Sequence, residues 1–211
     1  MLSLFKKNTD FKLSGVDKGH YNITYKGVSA IKCPFDYVLY QMIIWEVKPD
    51  LIIEIGTHQG GSALYLADQL DLNGKGEIHT IDIPQNKGKE NPLVRTHPRI
   101  RFFNDGYSNY DTSVLSSYSI ILVIDDGSHL YTDALAALKK FSPFVTQDSY
   151  FIMEDGIVNE LGREKEFGGG PQRAIREFLP GNTNFIRDNR WCDFFGHNAT
   201  FNVNGYLKRI S

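Results

Sequence analysis

The stretch that most constrains the fold is Pro49–Leu66, PDLIIEIGTHQGGSALYL. Leu51–Ile55 is short, rich in β-branched residues and almost uncharged, the pattern of a strand buried on both faces of a parallel sheet. It breaks at Gly56, passes Gly60, Gly61 and Ser62, and enters the helical run Ala63–Leu70. A strand, a glycine-rich turn and a helix form the first half of a βαβ nucleotide-binding unit, in which the helix N-terminus offers free N–H groups. The spacing here is G-x-x-x-G-G rather than G-x-G-x-x-G, a poor grip for a pyrophosphate. Glu54, an acid ahead of a looser glycine turn, better suits the cationic end of a ligand.

The rest of the chain repeats the alternation. A helix is expected over 34–47, with Phe35, Val38, Leu39, Met42, Ile43 and Val47 on its apolar face. Strands are expected at Glu77–Ile83, Arg99–Phe103, Ser119–Ile124 and Ser149–Met153, and helices at Tyr131–Phe141 and Pro171–Leu179. Phe185–Arg187 and Thr200–Leu207 read as a closing antiparallel pair. Residues 1–30 read as a polar arm with a hairpin near Tyr25–Val28. Pro84–Pro98, with Lys87, Lys89 and Arg95, reads as a loop with a short helix. Asn159–Gly170 reads as a polar, glycine-rich loop of the kind that is functional or mobile. The expected class is α/β: a Rossmann-like, doubly wound sheet, mostly parallel. One domain is expected over 1–211, with an arm at 1–33 and the core at 34–211.

Composition narrows the function classes. The net charge of −2 over 211 residues gives no broad nucleic-acid-binding surface. No apolar run reaches the roughly 20 residues of a membrane helix, and from MLSLFKKNTDFKLSG no export signal is expected. A cytoplasmic protein is expected, with Cys33 and Cys192 as free thiols. A homo-oligomer is also expected.

Ligands of such sheets lie at the carboxyl ends of the strands, and Gly56, Asp82, Asp105, Asp125-Asp126 and Glu154-Asp155 all fall at expected carboxyl ends. Asp82, at the end of the second strand after the glycine turn's own, suits the two ribose hydroxyls of a nucleoside. A helix cap is the plainer role. Asp105 either borders the base or closes a turn. Asp126, Glu154 and Asp155 would crowd together, and crowded carboxylates repel unless a cation sits among them. Oxygen donors without cysteine favour Mg²⁺, Mn²⁺ or Ca²⁺. His129, three residues after Asp126, is in reach of general-base work, since imidazole titrates near neutrality. Bracing the turn is its alternative role.

These residues carry a resemblance. The segments KGVSAIKCPFDYVLYQMIIWEVKPDLIIEIGTHQGGSALYLAD, VIDDGSHLYTDALAALKKFSPFV, SYFIMEDGIV, GGGPQRAIREFL and NGYLKRI together resemble the cephalosporin hydroxylase / rhamnosyl O-methyltransferase family, from about Tyr25 onward. The resemblance implies the class I methyltransferase fold, with an antiparallel last strand, and S-adenosylmethionine as cofactor. It implies Mg²⁺ (or Mn²⁺) on Asp126, Glu154 and Asp155, with His129 and Asp126 as the catalytic pair. Glu54, Gly56 and Asp82 match the family's cofactor positions, and Gly60, Ser62, Asp105 and Asp125 are expected beside them at the cofactor. The implied activity is a metal-dependent O-methyltransferase acting on a hydroxyl of a sugar or other polyhydroxy natural product. Three alternatives stand beside it: a component of natural-product hydroxylation or methoxylation, a nicotinamide-dependent oxidoreductase, and a non-catalytic binding protein. No His-x-Asp…His oxygenase triad is evident. Substrate choice is expected in the arm and in loop 159–170.

Overall fold

The structure, a computed structural model, describes residues 12–85 and 91–211. The expected absence of a leader concerns mostly residues outside that range, as do Lys87 and Lys89 of the 84–98 loop. The arm holds a helix not foreseen, α1 (Leu13–His20), and then the expected hairpin, β1 (Thr24–Tyr25) with β2 (Val28–Ser29). The chain continues through α2 (Pro34–Val47), β3 (Leu51–Ile55), α3 (Gly61–Asn73), β4 (Glu77–Ile81), α4 (Pro92–Arg95) and β5 (Ile100–Phe103). It then forms β6 (Ile121–Asp125), α5 (Tyr131–Phe141), β7 (Tyr150–Met153), α6 (Ile157–Glu160) and α7 (Gly170–Phe178). The last elements are β8 (Phe185–Arg187), α8 (Asn189–Cys192) and β9 (Tyr206–Arg209).

Seven strands form one sheet in the order β5-β4-β3-β6-β7-β9-β8. The pairs from β5 to β7 are parallel, and β9 runs antiparallel to both β7 and β8. The fold is the expected one. β3 and β6 are buried along their whole length, and alternate residues feed opposite cores. Ile52, Leu122 and Ile124 pack with Leu39, Ile43, Leu64 and Leu66 of α2 and α3. Leu51, Ile53, Ile121 and Val123 pack with Leu138, Phe141 and Ile175 of α5 and α7. A central strand covered on both faces has no exposed edge and no reason to alternate polar residues. Among the described residues no helix is long and apolar enough to cross a membrane. Cys33 and Cys192 are buried, unpaired thiols.

Register brings the functional ends together. Ile55 pairs with Ile81 and with Asp125, and Asp125 pairs with Met153. Gly56, Asp82, Asp126 and Glu154 therefore leave the sheet in one row. Backbone bonds hold that row: Gly56 N donates to Ile81 O (2.8 Å), Asp126 N to Ile55 O (2.8 Å) and Glu154 N to Asp125 O (2.9 Å).

Two expectations shift. The buried stripe of α2 is Asp36, Leu39, Tyr40, Ile43 and Ile44, while Val38 is exposed. The stripe includes two polar residues because Asp36 and Tyr40 are bonded inside the fold, so hydrophobic spacing alone rotated the face. The strand expected to start at Thr200 starts at Tyr206. Thr200 and Phe201 turn inward instead, where the Asp36 carboxylate accepts from Thr200 Oγ1 and from Phe201 N (3.0 Å).

The paired glycines serve packing. Gly60 caps α3 at φ +82, against the Val94 side chain. A Cβ on Gly61 would lie 2.3 Å from Ser29 O of the hairpin, a backbone atom that cannot rotate away. Gly61→Ala gains helix propensity of about 1 kcal/mol, but the clash costs roughly 1–3 kcal/mol. The expected outcome is a net loss of stability in urea denaturation, with the hairpin displaced.

Candidate functional site

The row of strand ends opens into a cavity of about 530 Å³. Of the residues singled out from sequence, Gly56, Ser62, Asp82, Asp125, Asp126, His129, Glu154 and Asp155 line it. Glu54, Gly60 and Asp105 do not. Glu54 is fully buried under the glycine turn, where it accepts hydrogen bonds from Ser62 Oγ and from Thr80 Oγ1 (2.6 Å). Burial pushes its pKa up, and the Lys32 ammonium opposes the rise. Asp105 is exposed beyond β5, and Gly106 and Tyr107 reach the cavity in its place.

On one side of the cavity stand Gly56 and Asp82. Gly56 has φ +99, and a Cβ there would lie 2.1 Å from Asp126 O, so the β3 and β6 turns pass with no room for a side chain. Asp82 is fixed at the end of β4: Oδ2 accepts from His58 N (2.9 Å) and Oδ1 from Ile83 N (2.7 Å).

On the other side stand the remaining acids. Asp126, His129 and Asp155 offer donor atoms within 4.8 Å of one another, a spacing that can hold a metal ion. His129 Nε2 lies 3.1 Å from Asp155 Oδ2, and its ring meets Phe167 edge-on at 6.0 Å. His129 and Asp155 both have left-handed backbones, φ +58 and +55. Such conformations cost energy and concentrate at functional sites. Asp125, behind the cluster, is pushed up to about 7 by burial, with His129 opposing. Burial raises Asp155 too, against the same imidazole.

Glu154 stands apart from that trio, held by a residue the sequence reading did not single out. Lys32 Nζ lies 2.5 Å from Glu154 Oε1 and 2.8 Å from Asp126 Oδ2, and its side chain is 1% exposed. Tyr40 Oη donates to the same Oε1 (2.7 Å) and accepts from Asn202 Nδ2 (3.0 Å). Burial alone would lower the pKa of Lys32, but Asp126, Glu154 and Glu54 together outweigh it, so the ammonium stays charged. A lysine between Ile31 and Cys33, just ahead of a proline-led helix, is the signal that could have pointed to it. Burial, with Asp126 beside it, pushes the Glu154 carboxyl well up, against Lys32 and Tyr40, and the hard oxygen donors of the cluster fit a small divalent cation. The other acid–histidine cluster, Asp68, Asp71 and His97, is already paired with Lys26 and Arg99. The outer wall of the cavity comes from Asp17, His20 and Tyr21 of the arm and from Leu161, Arg163 and Phe167 of the 159–170 loop.

The support beneath the site titrates. Asp36 is buried, and burial pushes its pKa from 3.8 to about 6 against the bonds from Thr200, Phe201 and Tyr206. Between about pH 4 and 6 the unfolded chain releases this proton while the folded chain keeps it, so this group's contribution to stability falls as pH rises. In Asp36→Asn that loss disappears. Unfolding free energies measured at about pH 4 and pH 7 should then change by about 1–3 kcal/mol more favourably than in the wild type.

Comparison with known proteins adds the relationship. A family model described as rhamnosyl O-methyltransferase/CmcI matches residues 17–210. A rhamnosyl O-methyltransferase of Mycobacterium leprae (strain TN) is 30% identical over 197 residues, covering 88% of this chain and 82% of the relative. That of Mycobacterium tuberculosis (strain ATCC 25618 / H37Rv) is 30% identical over 165 residues, covering 74% of this chain. The chain spans 65% of the length of that relative. An apo structure of CmcI superposes with a TM-score of 0.70 at 20% identity, covering 99% of this chain and 88% of the other. A Mg–SAM complex of CmcI gives 0.63 at 19% identity, with 99% and 89% covered. At these identities the structural likeness bears on the fold, while the family match covers nearly the whole sequence. The chain belongs to the rhamnosyl O-methyltransferase/CmcI family.

Proposed function

We propose that this chain is an S-adenosylmethionine-dependent, divalent-metal-dependent O-methyltransferase acting on a hydroxyl of a sugar or other polyhydroxy natural product. The observation that carries the reading is the single row of strand ends. A glycine turn and a fixed aspartate, Asp82, stand on one side of the cavity, and a histidine–carboxylate cluster stands on the other. Family membership supports the same reading, as do the names of the relatives and the Mg–SAM complex of CmcI.

S-adenosylmethionine supplies a methyl group already activated by its sulfonium. A divalent cation supplies a Lewis acid for an acceptor hydroxyl. The protein's part is then largely alignment, which can be worth roughly 7–11 kcal/mol. Asp82 accepts the ribose hydroxyls, its position set by the His58 and Ile83 amides. Asp126, Glu154 and Asp155 would hold the cation. Asp155 beside Nε2 favours a proton on that nitrogen of His129, which leaves Nδ1 to take the proton of the hydroxyl. Phe167 and the arm residues His20 and Tyr21 line the same cavity, where an acceptor would lie against them.

Purified protein with S-adenosylmethionine, Mg²⁺ and a panel of rhamnosyl and other sugar acceptors should form S-adenosylhomocysteine only when an acceptor is present. EDTA should stop the reaction and added Mg²⁺ restore it. Turnover that persists in EDTA would refute the metal dependence. Asp126→Asn should lower turnover by roughly a hundredfold or more, since a catalytic metal contributes several kcal/mol, while S-adenosylhomocysteine binds nearly as before.

Asp82→Ala tests the cofactor side separately. Losing hydrogen bonds to a charged acceptor costs about 1.5–3 kcal/mol, roughly ten- to a hundredfold in Kd. Calorimetry with S-adenosylhomocysteine should read that loss. An unchanged Kd in a folded variant would remove Asp82 from the cofactor site.

A further inference from the structure

Among the described residues Lys32 is the only lysine or arginine that is buried. It lies just ahead of α2, and its ammonium reaches past the helix start to two strand ends, those of β6 and β7. It takes Oδ2 of Asp126, one of the three residues whose donor atoms converge. It also takes Oε1 of Glu154, and Tyr40 holds the same oxygen from a second direction. Asp126 is thus shared between the lysine and the Asp126–His129–Asp155 cluster, and Glu154 is pinned on the lysine's side.

We propose that Lys32 is a positioning residue that competes with the divalent cation: it keeps the carboxylates assembled when no metal is bound and limits how tightly the metal is held. The inference rests on the metal-dependent reading above. A buried ammonium within hydrogen-bond reach of a ligand carboxylate repels an incoming divalent ion, and in a poorly solvated site that repulsion is weakly screened. The same ammonium spares the metal-free protein a buried Glu154 carboxylate left without a cation beside the partly exposed Asp126. The site therefore stays ordered through metal exchange, and the ion it holds can leave.

The test is Mn²⁺ binding, read by calorimetry and by the electron paramagnetic resonance of free Mn²⁺. S-adenosylhomocysteine binding is measured on the same samples. Lys32→Met should bind Mn²⁺ about tenfold or more tightly than the wild type. Without metal it should melt below the wild type, and it should regain more on adding Mn²⁺, as ligand linkage requires. Because that variant strands Glu154 without its partner, Lys32→Gln, which keeps a hydrogen-bond donor without the charge, is made beside it. It should melt between Lys32→Met and the wild type without metal and still bind Mn²⁺ more tightly than the wild type. Affinity equal to or weaker than wild type in Lys32→Met, or in Lys32→Gln if Lys32→Met does not fold, overturns the proposal. The proposed function then stands, provided the wild type binds Mn²⁺ and S-adenosylhomocysteine. Absence of Mn²⁺ binding in all three proteins overturns both this proposal and the metal-dependent reading.

Discussion

The site depends on one electrostatic arrangement: carboxylates crowded at the ends of parallel strands, with a single buried ammonium between two of them. Parallel register delivers side chains at successive strand ends to one level, and here that level carries Asp82, Asp126 and Glu154. Close carboxylates repel, and burial sharpens the repulsion. Lys32 relieves part of it by bridging Asp126 and Glu154. Because Lys32 precedes α2, the charge that steadies the strand ends is carried by the arm-to-helix junction. The arm and the core are joined at the point where the chemistry would occur.

A second buried network steadies the same junction from the other end of the chain. Asp36, in the first turn of α2, gathers Thr200, Phe201 and Tyr206, while Tyr40 one turn on links Asn202 to Glu154. Helix α2 is therefore more than a cover for the sheet. Its buried stripe ties the loop before β9, the β7 end and Lys32 into one unit. A displacement of α2 would be felt at Glu154 through Tyr40.

Much of this was legible in the sequence. The β-branched runs marked the strands, because a doubly covered parallel sheet leaves few other options for them, and α2 falls on its expected bounds. The acids stood out because they recur after strands. The polar members of the α2 stripe were not legible, since Asp36 and Tyr40 break the spacing by which an apolar face is recognised. Lys32 was missed for a related reason: a lone lysine reads as solvated, and only the folded chain brings Asp126 and Glu154 to it across 94 and 122 residues. Thr200–Asn204 looked like strand because its local pattern suits one. The demand of Asp36 for backbone and hydroxyl donors overrides that preference. The packing demand on the glycines was not legible either, since it is set by distant backbone: Ser29 O of the hairpin at Gly61 and Asp126 O of the β6 turn at Gly56.

The left-handed backbones at His129 and Asp155 bear on how such a site can drift. At φ near +58 and +55, glycine apart, the residues that sit with the least penalty are asparagine, aspartate and histidine. Each of them carries an oxygen or nitrogen able to coordinate or to accept a proton. Substitutions that preserve the turn at these two places therefore stay within donor chemistry, and β-branched or bulky apolar replacements are penalised by the main chain before the reaction tests them. The turns following β6 and β7 act as a filter on sequence variation. A lineage could exchange one donor for another there, retuning metal preference or acceptor, at less risk to the fold than at most buried positions.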